Sequence, residues 1–256
     1  ADTEPLMKEL FRYRFKSGRL EGQSFGNLFL AAMCDVSGDF VTAIEKMSSV
    51  LAVTGNVLPV TKDDVNLVGV LRDGSRIVGE SHIPVAAAEK HSPIDHIELL
   101  PEDVVPFDRC IAAINDADII ILGPGSLYTS IIPNLLVDGI AFALAASAAK
   151  KVYVCNVMTQ PGETDGFSAY DHVAAIEKHM GGNYIDYCIA NSGDIPPQAA
   201  VKYEEQNSVP VRLDKSRFDG CRTELIEKNL VFYDKENLIV RHDYVKLARE
   251  ILRLCM

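Results

Sequence analysis

The sequence predicts an α/β protein: a mostly parallel sheet packed between helices, with a small antiparallel β insertion. Three observations carry that expectation. Ile119, Ile120, Ile121 and Leu122 form an unbroken apolar run without alternation, the pattern of a strand covered on both faces, and it empties into Gly123-Pro124-Gly125-Ser126. A second run, Val152 to Val157, empties into Met158 to Gly166, a loop again rich in Gly and polar side chains. Two strand-to-helix loops of this kind face each other across a crevice in doubly wound sheets. Between residues 56 and 99 the period changes to short Val- and Ile-rich runs separated by turn residues, which reads as a β-meander.

With 256 residues and 48% hydrophobic content the chain can bury a large core, and nothing in it reads as a linker, so one domain over 1–256 is expected. The net charge of -11 argues against nucleic acid or an anionic membrane as the main partner, although a local basic pocket can still hold one phosphate. Six cysteines are spread without any CxxC, the pattern of a reduced, cytosolic protein. No signal peptide is read at the start, and the apolar stretches are broken before they reach membrane-spanning length, so no membrane insertion is expected.

From the start, Glu4 to Lys16 predicts an amphipathic helix with Leu6, Leu10, Phe11 and Phe15 on one side. Ser24 and Asn27 then stand at the mouth of an apolar helix carrying Leu28 to Met33, with Gly26 in its first turn. Glycine there costs about 1 kcal/mol against Ala, which points to close approach of a ligand or of another backbone. Asp39 begins a third helix that runs to Val50. The meander is read as strands over 56–60, 65–71, 76–81 and 94–99, with Asp73-Gly74 as a hairpin turn and no chemistry assigned. His82, His91 and His96 lie within it at irregular spacing, without a Cys or a second His at i+4, and read as surface or turn histidines.

Phe107 to Asn115 predicts the helix before the central strand. Beyond that strand Ser126 is placed to cap a helix from Leu127 to Leu136, and Asp138 to Ala149 to form another. The glycine turn and the hydroxyls of Ser126, Tyr128, Thr129 and Ser130 put free backbone N–H groups at the carboxyl edge of the sheet, and the expected guest is a phosphate. Asn156, Thr159, Gln160 and Thr164 offer amides and hydroxyls to the same crevice. Glu163 or Asp165 either holds a magnesium ion beside a diphosphate or is an acid favoured by the dipole of a helix from Ser168 to His179. Strands are read at 185–190, 209–213, 230–233 and 238–240, and helices at 197–205 and 244–254. Arg241 sits where a strand gives way to a helix, placed either to clamp phosphate or to pair with Asp243. There is no GxSxG, no HExxH and no Cys beside a His, so hydrolase and zinc chemistry gain little support, and no catalytic residue is assigned.

Gln23 to Leu28, Leu122 to Ile131, Pro133 to Val137, Val152 to Gln160 and Gly162 to Gly166 together closely resemble the YvcK branch of the CofD-like family, bacterial proteins called gluconeogenesis factors. The resemblance implies a Rossmann-like three-layer α/β/α fold and a cytoplasmic protein that binds UDP-activated sugars such as UDP-N-acetylglucosamine. It also implies a role in cell shape and envelope synthesis during gluconeogenic growth, exerted through a protein partner; a homo-oligomer is compatible with it. The related CofD branch is similar in fold and transfers a 2-phospholactate group to a deazaflavin with Mg²⁺, so a transferase is the alternative expectation. No organic cofactor is implied. By carry-over, Gly123, Gly125, Ser24, Gly26, Asn27 and Asn134 fall in the ligand-binding blocks, Arg241 resembles the family arginine linked to the nucleotide sugar, and Tyr203 the aromatic that stacks on the base. Members of this family begin with a strand, a Gly-Gly-Gly-Thr-Gly loop and an Asp-Asp pair. The present sequence starts after all three, so part of the phosphate cradle and the strongest metal ligands are expected to lie outside it.

Overall fold

A computed structural model describes residues 5–52 and 54–255, and the chain divides into two compact units between residues 62 and 63. The first is helical: α1 (Pro5–Arg12), α2 (Phe25–Ser37) and α3 (Phe40–Val50). The predicted start of α1 at Glu4 lies outside the described residues. α1 ends before Lys16 because the chain turns into a short antiparallel contact, with Arg14 bridged to Ser24 and Phe25 N–H donating to Tyr13 O. Ser24 caps α2 by accepting from Asn27 N at 3.3 Å, and Asp39 caps α3 by accepting from Thr42 N at 2.9 Å; such caps contribute about 1 kcal/mol each. A Cβ on Gly26 would stand 3.3 Å from the Phe11 ring and 3.4 Å from its carbonyl oxygen. Within this unit, then, the close approach that the glycine signals is that of α1, whose Phe11 also meets Phe25 and Phe29 edge-on.

The second unit is built on β1 (Asn66–Leu71), β2 (Arg76–Val78), α4 (His82–Glu89), β3 (Ile94–Leu100), α5 (Asp108–Asn115), β4 (Ile119–Leu122), α6 (Ile132–Leu135), α7 (Ile140–Ala146), β5 (Lys150–Val154), α8 (Ala169–Met180), β6 (Tyr187–Asn191), α9 (Pro197–Glu204), β7 (Glu224–Lys228), β8 (Val231–Asp234), β9 (Ile239–His242) and α10 (Tyr244–Leu254). Strands β4, β5, β6 and β7 make a parallel sheet in that order. Side chains alternate across a strand, and the two faces of β5 are covered accordingly. Val152 and Val154 pack with Leu247, Ile251 and Leu254 of α10, while Tyr153 stacks on His172 of α8. Helix, sheet and helix are the three layers expected.

Several elements differ from the sequence reading. β5 begins two residues early: Lys151 is buried, its N–H donating to Asp186 Oδ2 at 2.9 Å and its ammonium to Ser147 O, so Lys150 and Lys151 open the strand. The meander is interrupted. β1 pairs antiparallel with β2 and β3, residues 56–60 form no strand, and α4 lies between β2 and β3, seated on β1 at Gly69, where a Cβ would overlap Ile83. Residues 209–213 form no strand either, making only single bridges from Pro210 to Met158 and from Arg212 to Ser168. β7 is an addition, the fourth parallel strand. β8 and β9 form an antiparallel pair that packs with α9 through Val240, Tyr203 and Ala199. All six cysteines are free. Among the described residues no single helix is long and apolar enough to cross a membrane; the pair Leu127–Leu135 and Ile140–Ala146 has the composition but bends by 76° at its break.

Candidate functional site

The loop after β4 begins with Gly123 in the left-handed region, φ +81°, followed by a cis peptide to Pro124. A Cβ at Gly123 would stand 3.0 Å from Val154 O and 3.1 Å from Ile131 Cδ1, so the turn closes against β5 only with glycine. The predicted helix from Leu127 to Leu136 is instead one wide π turn, Leu127–Ile131, running into the short α6. Ser126 does not cap it. Its carbonyl accepts from both Ser130 N and Ile131 N at 3.0 Å, and its hydroxyl accepts from Gln160 Nε2 at 2.8 Å. Among the described residues, the backbone N–H groups of Gly125, Ser126 and Leu127 donate to no protein acceptor.

The loop after β5 is bonded to this one throughout. Asn156 Nδ2 donates to Gly125 O at 2.8 Å. Glu163, predicted as a helix-dipole acid or metal ligand, is neither in the first turn of α8 nor open to water: it is 3% exposed. Its carboxylate accepts from Tyr128 N at 3.2 Å, Thr129 Oγ1 at 3.0 Å and Gln160 Nε2 at 3.1 Å. Burial raises its pKa against the pull of those donors, and burial also raises the Tyr128 phenol to about 12. Within the second loop Thr164 Oγ1 accepts from Gln160 N at 2.8 Å, and Thr159 is held by Val209, whose N–H donates to Thr159 Oγ1 at 2.9 Å. The task of residues 208–210 is thus to brace the loop.

The structure brings Gly123, Gly125, Ser126, Tyr128, Thr129, Asn156, Gln160, Glu163 and Thr164 into one bonded assembly. A cavity of about 400 Å³ opens against Gly123, Pro124, Gly125, Ser130 and Asn134, and Asn134 Nδ2 donates back to Ser130 O at 2.6 Å. A second cleft of about 470 Å³ is shared by Ser126, Thr129, Gln160 and Glu163 with Glu80, Ser81 and Pro84. Those last three belong to the lobe to which the sequence assigned no chemistry, and no local pattern marks them. Arg241 lies inside β9, paired across to Phe232, and is exposed; Asp243 is engaged by Lys246 at 3.2 Å. Beside it Tyr203, on α9, donates its hydroxyl to Val240 O at 3.3 Å and accepts from Val240 N at 3.2 Å. Ser24, Gly26 and Asn27 belong to the first unit.

Glu163 and Asp165, the two expected magnesium ligands, are both engaged by protein donors. The oxygens of Glu163 are taken by three donors, Asp165 Oδ2 accepts from Gly162 N at 2.7 Å, and among the described residues no three His, Cys, Asp or Glu side chains are grouped to hold a metal ion.

The antiparallel lobe is fastened to α8 through a histidine. Ile97 N–H donates to His179 Nε2 at 3.2 Å, so Nδ1 carries the proton that faces Ala175 O at 2.7 Å. Burial lowers the pKa of His179 below 6.5, and does the same for His172 and His242. A depressed folded-state value means the unfolded chain takes up protons first. Stability from these groups is therefore complete above about pH 6.5 and is lost as the pH falls through the folded-state values. The urea midpoint is expected to drop between pH 7 and pH 5, and less steeply in His179→Gln, which removes one of the titrating groups; identical slopes would show that His179 is not one of them.

Three comparisons with known proteins agree. The profile of the family described as 2-phospho-L-lactate transferase CofD matches residues 1–231. A relative from Clostridium acetobutylicum is 50% identical over 256 residues, and the gluconeogenesis factor of Bacillus subtilis is 45% identical over 255 residues. The chain spans 56% of the length of the first and 78% of the second. A crystal structure of a UPF0052-family protein from Bacillus halodurans superposes with a TM-score of 0.89 at 41% identity, covering 98% of this chain and 79% of that one.

Proposed function

The chain belongs to the CofD family, on its gluconeogenesis-factor branch, and from that premise we propose that it is a cytoplasmic regulator that binds a UDP-N-acetylglucosamine-like nucleotide sugar. It reports the level of that sugar to a protein partner in envelope synthesis and cell-shape control during gluconeogenic growth. One observation carries the binding step: two successive unspent N–H groups at the carboxyl edge of a parallel sheet, on Gly125, which lines the 400 Å³ cavity, and on Ser126, which lines the 470 Å³ cleft. Such a run of donors suits the oxygens of a diphosphate. The side chains of the two loops are occupied with one another, which keeps the donors in place without a ligand. The net charge of -11 favours a protein partner over a polyanion.

Arg241 supplies the second anchor in this reading. Its guanidinium has no hydrogen-bond or ion-pair partner among the described residues. Arg241→Ala is expected to weaken nucleotide-sugar binding by about 1.5–3 kcal/mol, the range of a charged hydrogen bond, with an unchanged circular dichroism spectrum. Equal affinity in the variant would remove Arg241 from the site.

The family description favours a second reading, transfer of a phospholactyl group to a deazaflavin. Turnover separates the two. Incubation with a nucleotide-activated phospholactate, a deazaflavin acceptor and Mg²⁺ is expected to leave the acceptor unmodified on chromatography, and a phospholactylated acceptor would assign the protein as a transferase.

A further inference from the structure

We propose that the cleft between the antiparallel lobe and the loop after β5 binds a small zwitterion, a free amino acid with an apolar side chain. The cleft is about 520 Å³, within the range of small-molecule sites. It shares only Glu163 with the cleft of Ser126, Thr129 and Gln160, and no residue with the cavity at Gly123 and Gly125, so the inference does not rest on the nucleotide-sugar reading.

Its walls carry opposite charges. On the lobe side stands Arg72, whose guanidinium makes no hydrogen bond or ion pair among the described residues, with His91 beside it. On the loop side stands Asp165, which spends Oδ2 on Gly162 N–H and leaves Oδ1 open. The oxygens of Glu163, on the same wall, are already taken by three donors. The lining also carries apolar groups, Ala87 of α4, which is buried, and Pro161 and Phe167 of the loop, together with the polar Ser92 and Asn207.

These groups discriminate among ligand classes. A simple anion gains from Arg72 and is repelled by Asp165, and a simple cation meets the reverse. An α-amino acid gains from both, its carboxylate at Arg72 and its ammonium at Asp165, and its side chain covers the apolar lining. The two walls are held at a defined separation by the bond from Ile97 to His179 and by the Pro84 carbonyl, which sits so close to Gly162 that a Cβ there would overlap it. The ligand therefore meets a cleft that is already formed.

Calorimetric titration of the full chain with L-leucine and L-phenylalanine tests this, together with the deaminated analogues 4-methylpentanoate and 3-phenylpropanoate and the decarboxylated analogues 3-methylbutylamine and 2-phenylethylamine. Saturable binding of at least one amino acid is expected, with both kinds of analogue weaker by at least tenfold. Arg72→Leu and Asp165→Asn, both at exposed positions, should each weaken it on the order of ten- to hundredfold without shifting the thermal midpoint, and Arg241→Ala should not change it. Absence of saturation by either amino acid at its solubility limit overturns the proposal. So does an analogue that binds as well as its parent, or undiminished binding in both cleft variants.

Discussion

Gly162→Ala is expected to destabilise the protein by about 2–5 kcal/mol, the largest effect of any single methyl group in the second unit. Two costs add. Gly162 has φ +76°, where a Cβ costs about 1–2 kcal/mol. That Cβ would also overlap the Pro84 carbonyl, with its carbon only 2.7 Å away and Pro84 Cα at 3.0 Å, and backbone in the first turn of α4 has little freedom to retreat. Gly166, four residues on, is the control. It has nearly the same φ, +72°, but nothing within 4 Å of the added carbon, so Gly166→Ala should show the conformational cost alone, about 1–2 kcal/mol. Urea unfolding of the two variants reads the difference directly. Equal losses would mean that the contact between Pro84 and Gly162 does not hold the lobe against the loop.

Glu163→Ala should cost about 3–5 kcal/mol and abolish most nucleotide-sugar binding along with it. The substitution leaves Tyr128 N–H, Thr129 Oγ1 and Gln160 Nε2 without their common acceptor, in a position that is 3% exposed in the parent. Each stranded buried donor costs about 1–3 kcal/mol, less what repacking and water entry recover. Glu163→Gln keeps the shape and one acceptor oxygen, but its amide N–H₂ faces donors, so about half the loss is expected. A variant that unfolds at the parental urea concentration and binds as the parent does would reduce Glu163 to a bystander.

The residues show why parts of this arrangement could be read in advance and others not. Ile119 to Leu122 and the glycine turn behind it announce themselves locally, since an unbroken apolar run and a φ-positive glycine need no knowledge of partners. The two Ser and Asp caps at Ser24 and Asp39 are equally local. β7 carries little local signal because it is an edge strand: Glu224, Glu227 and Lys228 flank Leu225 and Ile226, and only pairing with β6 makes the segment a strand. α4 carries little local signal because its eight residues lie between two strands, and its seat is set by Gly69 on β1. Val209 to Leu213 has the composition of a strand but serves to brace Thr159. The role of Glu163 depends on residues 34 and 35 positions away, and no spacing rule reports that. The clefts owe one wall to the lobe, whose Arg72, Glu80 and His91 look like ordinary surface residues until the fold sets them beside the loop.

On the proposed function the crevice behind β4 and β5 receives a nucleoside diphosphate sugar. Calorimetric titration of the chain with UDP-N-acetylglucosamine, in the presence and absence of Mg²⁺, tests it most directly. Saturable binding with micromolar affinity, weakened by Arg241→Ala and by Glu163→Gln, is the predicted result. Absence of binding to this chain, and equally to the longer Bacillus subtilis relative of which it spans 78%, would contradict the claim.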